Sequence, residues 1–90
     1  MTVAGQFANN LRRCRKRAGI SQEEVAVRAS LHRTAVGQLE RAERVAQIDT
    51  LIKLAGALEV EPRELLAGLV WEPGGTRLGS FELPDQDATL

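Results

Sequence analysis

Ninety residues, with twelve Lys or Arg balanced by twelve Asp or Glu, make one domain of zero formal net charge. A chain of this size buries only about 60% of its unfolded surface, which excludes a large enzyme with an elaborate catalytic shell. With 43% hydrophobic and 27% charged residues, the composition is that of a globular domain and excludes a disordered segment.

The first segment places Phe7, Leu11, Cys14 and Ala18 at spacings of four, three and four, one narrow stripe on a helix that Gly19 ends. Ser21-Gln22-Glu23-Glu24 has the capping-box form, with the Ser21 hydroxyl accepting three residues on and Glu24 reaching back. It opens a second helix, whose Val25, Ala26 and Ala29 share a face and which stops near Ser30. A third periodic stretch follows after two or three residues, with Ala35, Val36 and Leu39 inward. So tight a turn between two short helices reads as a helix-turn-helix. Ile48, Leu51, Ile52, Ala55 and Leu58 predict a fourth amphipathic helix with Asp49 in its first turn. Pro62 starts a short fifth helix carrying Leu65 and Leu66, and Gly68 closes it. Beyond it, Leu69-Val70-Trp71 and Ser80-Phe81-Glu82-Leu83 flank a loop rich in Gly and Pro, predicting a small hairpin. The expected class is all-α: a five-helix bundle over residues 1–68, a hairpin-like extension over 69–83 and a loose tail over 84–90.

The zero charge is a cancellation. Residues 1–44 hold nine positive side chains and four negative ones, a net of +5, whereas residues 45–90 hold three and eight, a net of −5. Such asymmetry points to a polyanionic partner for the first half, although a solvated charged face has the same composition. On the third helix, Arg33, Thr34, Gly37, Gln38 and Arg41 share an arc of about 140° that contains no acid. Guanidinium, amide and small residues suit the major-groove edges of guanine and adenine. Gly37 costs the helix about 0.8–1.0 kcal/mol relative to alanine, so either close approach to a ligand or packing on the fourth helix must require it.

From Phe7 to Leu66 the chain resembles the phage-repressor family (Cro and lambda-repressor type, XRE-like) of helix-turn-helix proteins. The resemblance rests on Leu11-Arg12 with Arg15, Ala18-Gly19-Ile20-Ser21-Gln22-Glu23-Glu24-Val25-Ala26, Leu39-Glu40-Arg41, Thr50-Leu51 through Ala57-Leu58, and Val60-Glu61-Pro62 with Leu65-Leu66. It implies a five-helix bundle with the third helix, about residues 32–41, in the major groove of double-stranded DNA. It further implies that Arg33, Thr34 and Gln38 face bases, and that Gln22, His32, Gly37, Arg41 and Arg44 meet the backbone. Arg15 and Glu40 would form a structural ion pair. His32 is equally a capping or partly packed histidine. The family often has Gly where this chain has Ala42 and Pro where it has Ala46. A left-handed cap is strained at alanine, so a different loop path is expected over residues 42–47.

The function implied is a sequence-specific transcriptional regulator acting as a homodimer on a two-half-site operator. The alternative is an antitoxin or other protein-interaction module, using the acidic second half as its contact surface. Trp71 and Phe81 are then partner contacts, dimer contacts, or a cover for the bundle. An enzyme is not expected: Cys14 belongs to an apolar stripe, His32 lies on another helix, and four zinc-like ligands cannot be assembled. No cofactor or metal is expected. The single cysteine, the absence of a signal-peptide pattern at the start and of any apolar run of about 20 residues predict a cytoplasmic protein without a membrane partner.

Overall fold

The Thr2 hydroxyl accepts from the Gly5 N–H at 3.0 Å and so starts α1 (Val3–Ala18) four residues ahead of Phe7. In the computed structural model, which describes residues 1–84, it is followed by α2 (Gln22–Ala29), α3 (Arg33–Glu40), α4 (Ile48–Leu58) and α5 (Pro62–Leu65), then β1 (Val70–Glu72) and β2 (Ser80–Glu82). α2 packs on α3 and α4, α1 on α3 and α5, and α4 on α5. Their shared core is aliphatic apart from Phe7 and Cys14, with Leu11, Val25, Val36, Leu39, Leu54 and Leu65 almost fully enclosed.

Four helices end with the same device. Gly19, Ser30, Ala42 and Glu59 all adopt left-handed φ angles between +55° and +73°. The next residue then donates its N–H back five positions: Ile20 to Arg15, Leu31 to Ala26, Glu43 to Gln38 and Val60 to Ala55, at 2.8–3.4 Å. Ile20, Leu31 and Val60 pack on the core, so burial of an apolar plug holds a non-glycine residue in a costly conformation. The expected avoidance of a left-handed residue at Ala42 does not occur. Its φ is +60°, and bonds from the Ala42 and Glu43 N–H groups to Leu39 and Gln38 hold it there.

Three apolar expectations are corrected. Ala18 is exposed, because the buried face of α1 ends at Cys14. Ile48 and Ile52 are 79% and 54% exposed, because the buried stripe of α4 is centred on Leu54, Ala55 and Leu58. That centre turns the two isoleucines onto a flank, still sharing one face at a spacing of four. Leu66 is likewise on the surface. The capping box of α2 forms only in part: Ser21 accepts from Glu24, but the Glu24 carboxylate turns to Arg28.

Polar groups fasten the exit of the bundle. Asn10, fully enclosed, donates to the carbonyls of Leu65 and Ala67 at 2.9 Å, and Gln6 donates to Asn10 Oδ1 and Ala67. They satisfy carbonyls that the end of α5 leaves free. Gly68, at φ +82°, passes beneath Pro84, whose Cγ would stand 2.9 Å from any Cβ there. The strands pair antiparallel, with Trp71 opposite Phe81, and the rings meet edge to face at 5.0 Å. Neither ring belongs to the core cluster. Apart from Pro84, the expected tail lies outside the described residues.

Candidate nucleic-acid interface

The turn between α2 and α3 is Ser30-Leu31-His32, with Leu31 plugged into the core so that α3 is held rigidly against α2. His32 occupies the N-cap of α3, is exposed and makes no side-chain capping bond. The inward residues Val36 and Leu39 fix the rotation of α3, which leaves Arg33, Thr34 and Arg41 exposed on the other side. Gln22, the first residue of α2, joins them. Gln22, Arg33, Thr34, Gly37 and Arg41 line one open concavity of about 320 Å³.

Behind this surface lies the ion pair implied by the resemblance. Glu40, 2% exposed, accepts from Arg15 Nε at 2.6 Å and Nη2 at 3.0 Å, and from Gln22 Nε2 at 3.0 Å. Arg15 Nη1 donates to the Ile20 carbonyl, and Arg12 donates to the Glu40 carbonyl at the C-terminal end of α3. One carboxylate thus ties together α1, the start of α2 and the end of α3. The hydrogen bond it donates to Glu40 raises the Arg15 pKa further, so the guanidinium keeps its charge.

Each exposed arginine of the concavity has an acidic companion that the sequence reading missed. Arg33 Nη1 lies 2.9 Å from Glu23 Oε1, and Arg41 Nε lies 2.7 Å from Glu43 Oε2. The Arg41 hydrogen bond holds the Glu43 carboxyl below its ordinary range. Nothing in the spacing signals the Glu23–Arg33 pair, which depends on how α2 and α3 cross. Gln38, half-buried, does not line the concavity; its Oε1 accepts from Arg44 Nη1 at 3.3 Å. Gly37 is buried, and the nearest atoms to a Cβ placed there all belong to Arg41, not to α4. Guanidinium, amide and hydroxyl groups make this a surface of donors, suited to phosphate oxygens and to acceptor edges of bases. Among the described residues, no group of three His, Cys, Asp or Glu side chains could hold a metal ion, and no helix is long and apolar enough to cross a membrane.

Comparison with known proteins places the fold in a family. A family model described as helix-turn-helix matches residues 11–65. The chain is 41% identical over 76 residues to control protein C.SmaI of Serratia marcescens, covering 82% of this chain and 90% of that one. It is 38% identical over 77 residues to the helix-turn-helix-type transcriptional regulator y4dJ of Sinorhizobium fredii, covering 86% of this chain and all of the other. Among solved structures it is similar to the restriction-modification controller protein C.AhdI from Aeromonas hydrophila, with a TM-score of 0.67 and 42% identity over 69% of this chain and 94% of that one. The chain therefore belongs to the XRE-type helix-turn-helix family and is a DNA-binding transcriptional regulator, not an enzyme.

Proposed function

We propose that this regulator recognises a specific operator as a homodimer, laying α3 in the major groove of each half-site. The observation that carries the reading is the concavity in which Gln22 from α2 meets Arg33 and Thr34 from α3. Arg33 and Thr34 reach base edges at the entrance of α3, and Gln38 presents its amide one turn further on. Gln22 contacts a phosphate, its amide oriented by Glu40 and its backbone at the N-terminus of α2. His32 and Arg44 add backbone contacts.

A single small module makes few base contacts, and twofold dimers read half-sites about 34–36 Å apart. Ile48 and Ile52, exposed together on α4, and the aromatic pair on the hairpin are the apolar surfaces that support self-association. The acidic half, residues 45–90, turns away from DNA toward the dimer mate or another protein, and the protein works in the cytoplasm. The likeness to control proteins supports an operator at a restriction-modification locus.

Selection from random duplex DNA, followed by footprinting, tests the reading: two symmetric protected half-sites are expected, and a lone asymmetric patch would refute the dimer. Arg33→Ala should cost about 1–3 kcal/mol and relax one base pair, whereas Arg44→Ala should weaken all sequences alike and lower the salt slope by about 1. Identical behaviour of the two variants would overturn the division between base and phosphate contacts.

A further inference from the structure

Arg33, Gly37 and Arg41 lie on one line along α3, each four residues from the next. Glycine in a helix interior is destabilising relative to alanine, so its place on this face has to serve something. Although Gly37 is on the outer side, it is buried, and Arg41 is what covers it. A Cβ at position 37 would stand 2.9 Å from Arg41 Nη1, 3.6 Å from Cζ and 3.7 Å from Nη2. The Arg41 side chain therefore runs back one turn toward the start of α3, the direction in which helical side chains lean. Glu43 holds it there through Nε at 2.7 Å and Nη2 at 3.3 Å. Arg41 lines the same concavity as Arg33 and Thr34.

We propose that Gly37 and Arg41 act as one unit that reads a base pair: the glycine is the floor against which the Arg41 guanidinium packs, leaving the Nη1 and Nη2 protons that Glu43 does not engage for the paired acceptors of guanine. Arg41 is then a specificity-determining residue and not a phosphate clamp at the helix end. A phosphate clamp would reach outward from the helix end toward the DNA backbone. Arg41 instead stays on the face that enters the groove, where O6 and N7 of guanine match a guanidinium in a bidentate arrangement. The proposal rests on α3 being the major-groove helix, and it adds a second arginine-read position to the one assigned to Arg33.

The test is a double-mutant cycle on the full-length protein, with affinity measured for the selected duplex and for a scrambled duplex. Arg41→Ala should lower affinity for the selected site roughly 5- to 150-fold, change the scrambled duplex far less, and release preference at one base pair. Arg41→Lys should lose most of that preference while keeping the charge, since lysine lacks the planar fork. Gly37→Ala, which displaces only the end of a flexible side chain, should melt no lower than the parent yet bind the selected site about as poorly as Arg41→Ala. The double variant should bind no worse than Arg41→Ala alone. Equal losses on selected and scrambled DNA for Arg41→Ala would overturn the assignment in favour of a phosphate clamp. Multiplying losses in the double variant would show that Gly37 meets DNA by itself, and a lowered melting temperature for Gly37→Ala would show that the glycine serves the fold. If the parent protein binds no duplex at all, the major-groove reading of α3 falls, and this proposal with it.

Discussion

Replacing Arg15 by methionine leaves the Glu40 carboxylate, only 2% exposed, with Gln22 as its one remaining side-chain donor. A buried charge stripped of its partner costs about 3–5 kcal/mol. A domain of this length has a total stability of roughly 5–13 kcal/mol, so the substitution removes a large fraction of it. Glu40→Leu should cost less, about 2–3 kcal/mol, because Arg15 is 15% exposed and can turn its guanidinium toward water. The double replacement removes both charges and fills the site with apolar volume, so it should cost no more than about 2 kcal/mol, part of it the lost bond from Arg15 to the Ile20 carbonyl.

Urea unfolding followed by circular dichroism measures all three, with the slope of the transition checked for constancy. The coupling energy expected is at least about 3 kcal/mol, and Arg15→Met should be the most destabilised protein of the set. Additive single losses would refute the idea that the two charges compensate one another, and a costlier Glu40→Leu would refute the argument from exposure. The same cycle reaches the DNA surface, because Gln22 loses its anchor when Glu40 goes. Operator affinity of the double variant should fall even where its stability is recovered.

Ala42→Gly should raise stability by about 0.5–1 kcal/mol, the relief of a left-handed alanine less the extra chain entropy of glycine, and a melting scan should move up by a few degrees; an unchanged or lower midpoint would refute strain at that cap. Arg17 donates to Glu64 and holds its carboxyl below the ordinary range, so the unfolded chain binds more protons there and stability rises with pH through the acid region. That contribution is present in full at neutrality and is lost as pH falls through the lowered folded value, so Glu64→Gln should lower stability slightly at neutrality, with the two stability–pH curves converging below about pH 4.5; curves that run parallel through the acid limb would show that the pair contributes nothing. A chain ending at Gly68 should keep the helical circular dichroism signal, since the hairpin rings stand outside the core cluster. Light scattering on that chain and on Ile48→Lys/Ile52→Lys tells which apolar surface joins the protomers: the variant that becomes monomeric without unfolding names it, and two unchanged dimers would refute both surfaces.

The helices and their order were legible from their apolar periods, with Gly19 and Ser30 also marking where the first two end. Legibility failed where rotation about a helix axis decides burial. In α4 the apolar set Ile48, Leu51, Ile52, Ala55 and Leu58 spans more than one face, and only packing against α2 and α5 selects Leu51, Ala55 and Leu58 over the two isoleucines. Gln6 and Asn10 escaped for a different reason: polar residues enter a core when carbonyls at another helix end need donors, and no local pattern announces it. At the candidate site the outer face of α3 was visible from its missing acids. The glutamates beside it were not, because Glu23 and Glu43 come from outside that helix.

Those glutamates change the meaning of the net charge of +5 in the first 44 residues. Its four acids, Glu23, Glu24, Glu40 and Glu43, are all engaged with arginine, and two of them flank the concavity. Exposed pairs of this kind are worth between nothing and about 1 kcal/mol, so exchanging a carboxylate for a phosphate or a guanine edge is cheap. Until that exchange happens, the field the protein presents to DNA is weaker than a count of its cations implies. General, salt-driven affinity is thereby held down, while contacts that need a guanidinium in one place keep their full value. On the proposed reading, the acid beside Arg33 acts against binding everywhere except where a base edge repays the exchange, which raises the ratio of specific to non-specific binding.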